Sequence, residues 1–453
     1  MGRKPGLGPG RHTVNTPLLR VEAAQARILG AIAGPLAAES VEPVDGLGRV
    51  LAAPILALTD LPPWDNSAMD GYALLAADVQ HATNERPVHL RVIGEVAAGA
   101  PGSVAVVSGT CLRIATGAPV PPGADAVVPV EETTPCSADG TPRGERGHDA
   151  AGPLPAMCAV HEAVRPGNAI RHRGEDVRAN AIVLTRGTVL HAPAISLAAG
   201  VGSATVTVHR RPRVAVLATG DEVRPAGAPL GAGGIPDANG PGLRAMATAA
   251  GADVTDLGIA RDDLDDVLTR LRHGLAEADI VVVSGGVSVG PYDVVKLAFD
   301  TIGRMDLWRV AVQPGKPFAF GLAVRTTGDG SVLLFGLPGN PVSSFVTFEL
   351  FVRPAIRKLA GQSRLYRPSD RGVLLDPASA AAGRRAYLRV RAERDHAGTP
   401  LRDAQGRVHL RLAGGQGSHM LGGLATADAL AIVPEDVEQS PAGAEVELCW
   451  LDA

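Results

Sequence analysis

Lysine is almost missing from this chain: of 43 Lys and Arg residues only four are lysine, at positions 4, 296, 316 and 358. With 55 glycines and 36 prolines beside abundant alanine, this arginine bias reads as the imprint of a GC-rich genome, and it makes each remaining lysine more informative. Aromatic residues are equally sparse at 3%, and the formal net charge is −4 with a pI near 6.3. A nucleic-acid binder that relies on a basic surface interleaved with aromatics is therefore excluded. The four cysteines, Cys111, Cys136, Cys158 and Cys449, show no CxxC spacing, which excludes a zinc framework or a disulfide scaffold and suits a reducing cytoplasm. No apolar run reaches membrane-spanning length. Residues 1–13 are rich in Gly, Pro and Arg without an apolar stretch, so they read as a disordered extension rather than a signal peptide.

What is present is 453 residues at 45% hydrophobic content, enough for three or four domains with their own cores. The most informative junction runs from Asp279-Ile-Val-Val-Val283 into Ser284-Gly-Gly-Val-Ser-Val-Gly-Pro-Tyr-Asp293. A β-branched strand entering a glycine-rich turn leaves backbone N–H groups free for an anion. Gly285, Gly286 and Gly290 permit close approach, Ser284 and Ser288 offer hydroxyls, and Asp293 suits a metal that accompanies a phosphate ester. A tight turn without any ligand would show the same glycines. The pattern occurs twice, however: Arg213-Val-Ala-Val-Leu-Ala218 ends in Thr219-Gly220-Asp221-Glu222. Between these strands come a helical stretch near 240–250, a strand near 254–259, and Arg261-Asp262-Asp263 opening a helix to about Ala278. Such alternation predicts a doubly wound parallel sheet with its ligand outside the carboxyl ends of the strands. Helix capping competes with ligation at both Asp262 and Asp263.

Three further segments look like parts of a site. Lys316 lies in Gln313-Pro-Gly-Lys-Pro317, a stiff loop between predicted strands 308–312 and 318–322, where a fixed ammonium can meet an oxyanion. Lys296 and Lys358 fall in helical contexts and are expected to face solvent. Gly336-Leu-Pro338-Gly-Asn340-Pro341-Val-Ser343 joins a strand to a helix N-terminus, a second anion site unless Asn340 or Ser343 simply caps the helix. Leu61-Pro-Pro-Trp-Asp65-Asn-Ser-Ala-Met-Asp70-Gly-Tyr72 is too polar for core and too specific for a linker.

Together with Thr116-Gly-Ala-Pro119, Arg173-Gly-Glu-Asp176, Tyr387-Leu-Arg389 and Gln416-Gly-Ser418-His419, these motifs resemble, in order, those of the molybdopterin molybdenumtransferases, the MoeA proteins related to the gephyrin E domain. The resemblance runs from about Thr16 to the C-terminus. It implies a transferase of molybdenum cofactor biosynthesis that binds adenylylated molybdopterin, inserts molybdate at the dithiolene, hydrolyses the pyrophosphate bond with Mg2+ and releases AMP. On matching positions, Asp293, Asp262 and Glu222 would form the acidic metal pocket, and Asp70, Thr116 and Asp176 would complete the catalytic set. Thr219, Gly220, Ser284, Gly285, Gly286, Ser288, Gly290, Pro338 and Pro341 would contact the cofactor precursor. Molybdate would sit near Lys316, Ser343, Arg389 and Ser418, two cations and two hydroxyls for a tetrahedral dianion.

The resemblance also implies a cytoplasmic homodimer in which the loops carrying Asp70 and Thr116 come from the partner subunit, with an adenylyltransferase delivering the ester and apo-molybdoenzymes receiving the product. It implies an α/β multidomain chain: a discontinuous N-terminal linker domain (14–54 and 181–211, helical at its start), an inserted mostly β domain (55–180), the doubly wound domain (212–360) and a β-barrel-like C-terminal domain (361–453). Short apolar runs after Gly361 point independently to that last β domain. Within the inserted domain, 137–155 reads as an extended mobile loop. Gln313 stands where several relatives carry lysine, which predicts a weaker electrostatic contact there, offset by arginines such as Arg389. Two other functions stay open on the sequence: a molybdopterin adenylyltransferase, whose glycine-rich turn differs in type, and a non-catalytic molybdopterin-binding scaffold.

Overall fold

The computed structural model describes residues 18–99, 104–148, 152–286, 294–325 and 330–451. These residues fall into two compact units.

One unit holds Ser40–Leu47 and Ala53–Thr207 and is mostly β. Its six-stranded sheet has the order Ala126–Pro129, Gly71–Leu74, Thr110–Ile114, Val88–Val96, Met157–Val160, Thr133–Cys136. Strand Gly71–Leu74 is buried on both faces: Tyr72 and Leu74 enter one cluster with Leu90, Cys158 and Val160, while Ala73 enters another with Leu112 and Ile114. Alternate residues point to opposite faces, so burial on both faces requires the uninterrupted apolar run seen here. The segment after Ser137, expected to extend as a mobile loop, instead folds back. Ser137 N–H donates to Thr141 O at 2.8 Å, and the Arg146 guanidinium ties the return to Glu132, to Asn84 (2.6 Å) and to the Glu131 carbonyl (3.0 Å).

The other unit holds the rest of the chain and centres on six strands: β1 (Arg213–Thr219), β2 (Asp253–Ala260), β3 (Ile280–Ser284), β4 (Gly303–Arg309), β5 (Pro317–Val324) and β6 (Ser331–Leu337). Their order is β2-β1-β3-β6-β5-β4, the first four parallel and β5 antiparallel to both its neighbours. Val214, Val216, Ile280 and Val282 face helices Val21–Gly30, Asn239–Ala249 and the segment from Pro341 onward. Ala215, Leu217, Val281 and Val283 face helices Leu264–Glu277 and Val294–Ile302. Helices on both faces make the sheet doubly wound, as the alternation of runs predicts.

At the amino end of β3, buried Asp279 receives Arg210 (2.7 and 2.8 Å), Arg325 (2.9 Å) and the Arg213 N–H (2.9 Å). Burial alone would raise this carboxyl, but the Arg210 hydrogen bonds and the Arg213 N–H outweigh it and hold the group below its ordinary range. Strand β4 stops at Arg309 and does not run to Val312 as the pattern suggests. Val312–Gln313 instead pairs with Arg385–Ala386 of the following domain. Lys358 is likewise not simply solvated, because its ammonium donates to Leu29 O at 2.7 Å, filling a carbonyl at the end of helix Val21–Gly30. The helix from Pro341 continues to Leu359 through a π turn at Phe348–Val352, within which buried Glu349 accepts Arg367 at 2.8 and 3.0 Å.

After this helix come β7 (Ser369–Leu374), β8 (Arg385–Ala392), β9 (Val408–Leu412), β10 (Ala429–Val433) and β11 (Glu445–Trp450). They close in the order β8-β9-β7-β11-β10 and back to β8, a five-stranded barrel with no free edge. Leu388, Val390, Leu410, Ala431 and Leu448 fill it.

Candidate functional site

The carboxyl ends of β1, β3 and β6 open onto one cavity of about 940 Å³, which answers the sequence-based expectation of a crevice there. Thr219, Gly220 and Glu222 line it from β1, Ser284, Gly285 and Gly286 from β3, and Pro338 to Pro341 from the turn after β6. Asp262 lines it from the end of β2, and His419 and Leu421 from the barrel.

Close approach explains the glycines. Gly285 has φ +94°, and a Cβ there would lie 2.7 Å from Thr219 Oγ1; Gly220 has φ +138°, and a Cβ would lie 2.7 Å from the Glu222 carboxylate. The strand ends are also laced together. Thr219 Oγ1 donates to Ser284 O at 3.2 Å, and Gly285 N–H donates to Leu337 O at 3.1 Å. The Asn239 amide donates to both Ser284 Oγ and Gly339 O at 2.7 Å. Ser284 is 2% exposed and its hydroxyl accepts that amide, so it shapes the cradle from within rather than offering a free donor to a ligand.

The acids divide by role in the fold. Asp263, not Asp262, caps the helix, its Oδ1 accepting Asp266 N–H at 3.0 Å. Asp262 instead exchanges backbone hydrogen bonds with Asp221: its N–H donates to Asp221 Oδ1 at 3.2 Å, and Asp221 N–H donates to Asp262 Oδ2 at 3.5 Å. That leaves Asp262 and Glu222 as two exposed carboxylates on the cavity wall. Asp293, Ser288 and Gly290 lie outside the described residues. Among the described residues no group of three or more His, Cys, Asp or Glu assembles to hold a metal. Two carboxylates are nevertheless a fitting donor set for Mg2+, which keeps water and substrate phosphate oxygens as its other ligands.

Toward the barrel lie the cations. Arg389, on β8, is 0% exposed and has no carboxylate partner among the described residues. Its Nη2 donates to Gly415 O (2.7 Å) and Gly417 O (3.2 Å), while Nε and Nη1 have no partner among the described residues, and burial pushes the guanidinium below its ordinary value. A buried cation with unmet donors is costly unless an anion completes it. The same loop reaches the cavity, since Ser418 O accepts Val342 N–H at 3.0 Å, at the first turn of the helix after β6. Asn340 occupies the N-cap position without a side-chain capping bond, and buried Ser343, beside it, has a hydroxyl with no hydrogen-bond partner among the described residues. Capping therefore explains neither. Gly315, φ +115°, packs on Thr347, where a Cβ would lie 2.6 Å from Cγ2, and sets the Lys316 loop against that helix. Lys316 is half-buried, and its ammonium makes no hydrogen bond or ion pair among the described residues. Gln313 takes no part in this cluster through its oxygen, which accepts Ala381 N–H at 2.7 Å.

The β unit brings other predicted residues together. Asp70 Oδ1 accepts both the N–H (2.7 Å) and the hydroxyl (2.9 Å) of Thr116. Asp176 is exposed, in a loop pinned by Asp60, which accepts Ala179 N–H at 2.8 Å and the Arg173 side chain, and by Asp65, which accepts Arg173 N–H at 2.7 Å.

Three family profiles tile the chain: the MoeA N-terminal region (domain I and II) over residues 19–202, a probable molybdopterin binding domain over 215–358, and the MoeA C-terminal region (domain IV) over 371–451. Molybdopterin molybdenumtransferase 2 of Mycobacterium tuberculosis is 38% identical over 88% of this chain and 92% of its own length. The chain belongs to the molybdopterin molybdenumtransferase (MoeA) family. A second member, from Haemophilus influenzae, is 32% identical over 95% of this chain and 98% of its own length. A molybdopterin biosynthesis moeA protein from Pyrococcus horikoshii OT3 shares the fold with a TM-score of 0.72 at 27% identity, covering 96% of this chain and all of that one. In this MoeA chain Asn239, Asp237 and His419 also line the cavity, beyond the residues that the motifs mark. Asp237-Ala-Asn239 directly before a predicted helix was the available signal; His419 carried none beyond its neighbour Ser418.

Proposed function

We propose that this protein inserts molybdate into adenylylated molybdopterin and hydrolyses the ester, releasing AMP. The observation that carries this reading is Arg389: a fully buried guanidinium with, among the described residues, two unpartnered nitrogens and no carboxylate, one loop away from a cavity at the ends of parallel strands. Such a group suits a small dianion, and Lys316, Ser343 and Ser418 supply a second cation and hydroxyls on the same side.

In this reading the substrate's dithiolene faces that cluster, and two sulfur–molybdenum bonds form as oxide oxygen leaves as water with the thiol protons. The phosphoanhydride lies at the glycine cradle, where backbone N–H groups oppose its charge. Water adds to phosphorus, the anhydride P–O bond breaks, and molybdopterin and AMP each keep a phosphate. Glu222 and Asp262, with Asp293 by family resemblance, would hold Mg2+, which neutralises the phosphates when bound. One carboxylate of this set serves as metal ligand while another orients the attacking water and takes up its proton. Asp70 and Thr116, locked to each other, complete the site from the partner subunit of a homodimer, and Asp176 belongs to the same catalytic set. A cytoplasmic adenylyltransferase supplies the ester, and apo-molybdoenzymes take the product.

The test is AMP release from adenylylated molybdopterin with Mg2+, with and without molybdate. Molybdate-stimulated release that collapses in Asp262→Asn supports the reading. Tight binding of the ester without release under either condition overturns it in favour of a scaffold.

A further inference from the structure

Arg389 sits where one ladder of the barrel runs out. On one side β8 pairs with β10, Arg389 opposite Leu430, but on the other side β9 ends at Leu412, opposite Val390. A strand that loses its neighbour leaves N–H and C=O groups that need other partners. The Arg389 carbonyl keeps one backbone bond, from Ala413 N–H at 2.8 Å. A single side chain supplies the rest. Gln416 Oε1 accepts the Arg389 N–H at 2.9 Å, and Gln416 Nε2 donates to Arg389 O and to Gly414 O, both at 3.1 Å. The amide stands in for the missing strand.

The same loop grips the Arg389 side chain. Gly415 O and Gly417 O, the carbonyls on either side of Gln416, accept Arg389 Nη2 at 2.7 and 3.2 Å. Ser418 follows directly, and its carbonyl ties the loop to Val342 N–H, one residue before Ser343. Fastening this loop to β8 therefore fixes the guanidinium relative to both hydroxyl residues.

Charge explains why an amide stands at 416. Glutamine offers an acceptor and two donors without a charge. Its acceptor and its donors are spent on the backbone, and the Gly415 and Gly417 carbonyls are neutral, so the loop holds the guanidinium without neutralising it. Arg389 Nε and Nη1 have no partner among the described residues. A carboxylate at 416 would keep the acceptor, set its second oxygen against two carbonyl oxygens, and bring a counterion close to the buried cation.

We infer that Gln416 is a positioning residue for molybdate: it locks the Arg389 backbone and, through the two flanking carbonyls, aims an un-neutralised guanidinium at the oxyanion. The inference rests on the function proposed above, in which Arg389 receives that anion. Gln416 itself does not touch it.

Calorimetric titration of molybdate into the full chain, without ester, tests this in the wild type, Gln416→Met and Gln416→Glu. Methionine keeps the length of the side chain and loses its hydrogen bonds; glutamate keeps the length and the acceptor and adds the charge. Molybdate affinity should fall about tenfold in Gln416→Met and about a hundredfold in Gln416→Glu, with ester affinity at the wild-type level in both. A residue that merely stabilised the loop would lower thermal stability without moving molybdate affinity, or would treat the two substitutions alike. Gln416 is half-buried on a loop, so both variants are expected to fold, and if one does not, the other decides against the wild type. Unchanged molybdate affinity in a folded variant overturns the inference, as do equal losses in both variants or a wild type that binds no molybdate. AMP release from the ester, measured in parallel, separates the two ideas: a wild type that binds molybdate but releases no AMP counts against the function, whereas molybdate-stimulated release with the same molybdate dependence in both variants counts against Gln416 alone.

Discussion

Arg389 and Asp279 show how differently two buried charges are treated in one unit. Asp279 is saturated by two arginines and a backbone N–H, so it acts as a structural clamp at the amino end of the sheet. Removing it strands the half-buried guanidinium groups of Arg210 and Arg325, and Asp279→Ala should cost about 3 kcal/mol in denaturant unfolding. Its folded pKa lies below the unfolded value of about 3.9, so its contribution is complete above that pH and is lost as pH falls through the folded value. Unfolding measured against pH should accordingly show wild-type stability dropping below about pH 4, with the drop reduced in Asp279→Asn. Arg389, left unsatisfied at the carboxyl end, is poised for an anion instead. Arg389→Lys keeps the charge but loses the fork, and molybdate-stimulated AMP release should fall roughly 10²-fold with the barrel's circular dichroism unchanged. The sequence marked Arg389 by its motif alone. That it is buried without a counterion among the described residues depends on which strand faces which in a closed barrel, and local pattern does not carry that.

At the scale of elements, the site is built from strand ends whose approach is set by glycine. Gly285→Ala would force a Cβ to 2.7 Å from Thr219 Oγ1 at a left-handed φ of +94°. It should cost about 1–3 kcal/mol, visible in thermal unfolding, and weaken ester binding by spreading β1 from β3. These elements were legible because their signals are local: β-branched runs ending in Gly, and helices bounded by Asp263 and by Pro341. Errors fell where distant partners decide. Val312 looks like a continuation of β4 but leaves to pair with Arg385, and Lys358 looks solvated on its helix but meets a carbonyl 329 residues away. Ser284 reads as a ligand donor until Asn239 arrives from another helix to occupy it. The loop after Ser137 reads as loose because its composition hides the Arg146 anchor.

For the whole molecule, sharing of the site between subunits has a direct test. If Asp70 and Lys316 complete one site from different chains, Asp70→Ala and Lys316→Ala, each inactive alone, should on mixing and exchange recover about one quarter of wild-type activity. No recovery would place both in one chain's own site. The central claim is transfer of molybdenum onto the cofactor precursor. Its most direct measurement is whether the purified chain, given adenylylated molybdopterin, Mg2+ and molybdate, yields a product that activates an apo-molybdoenzyme. The account predicts activation only when molybdate is present, with one AMP released per activated centre. AMP release that yields no activating product, or retention of the ester with neither, would contradict it.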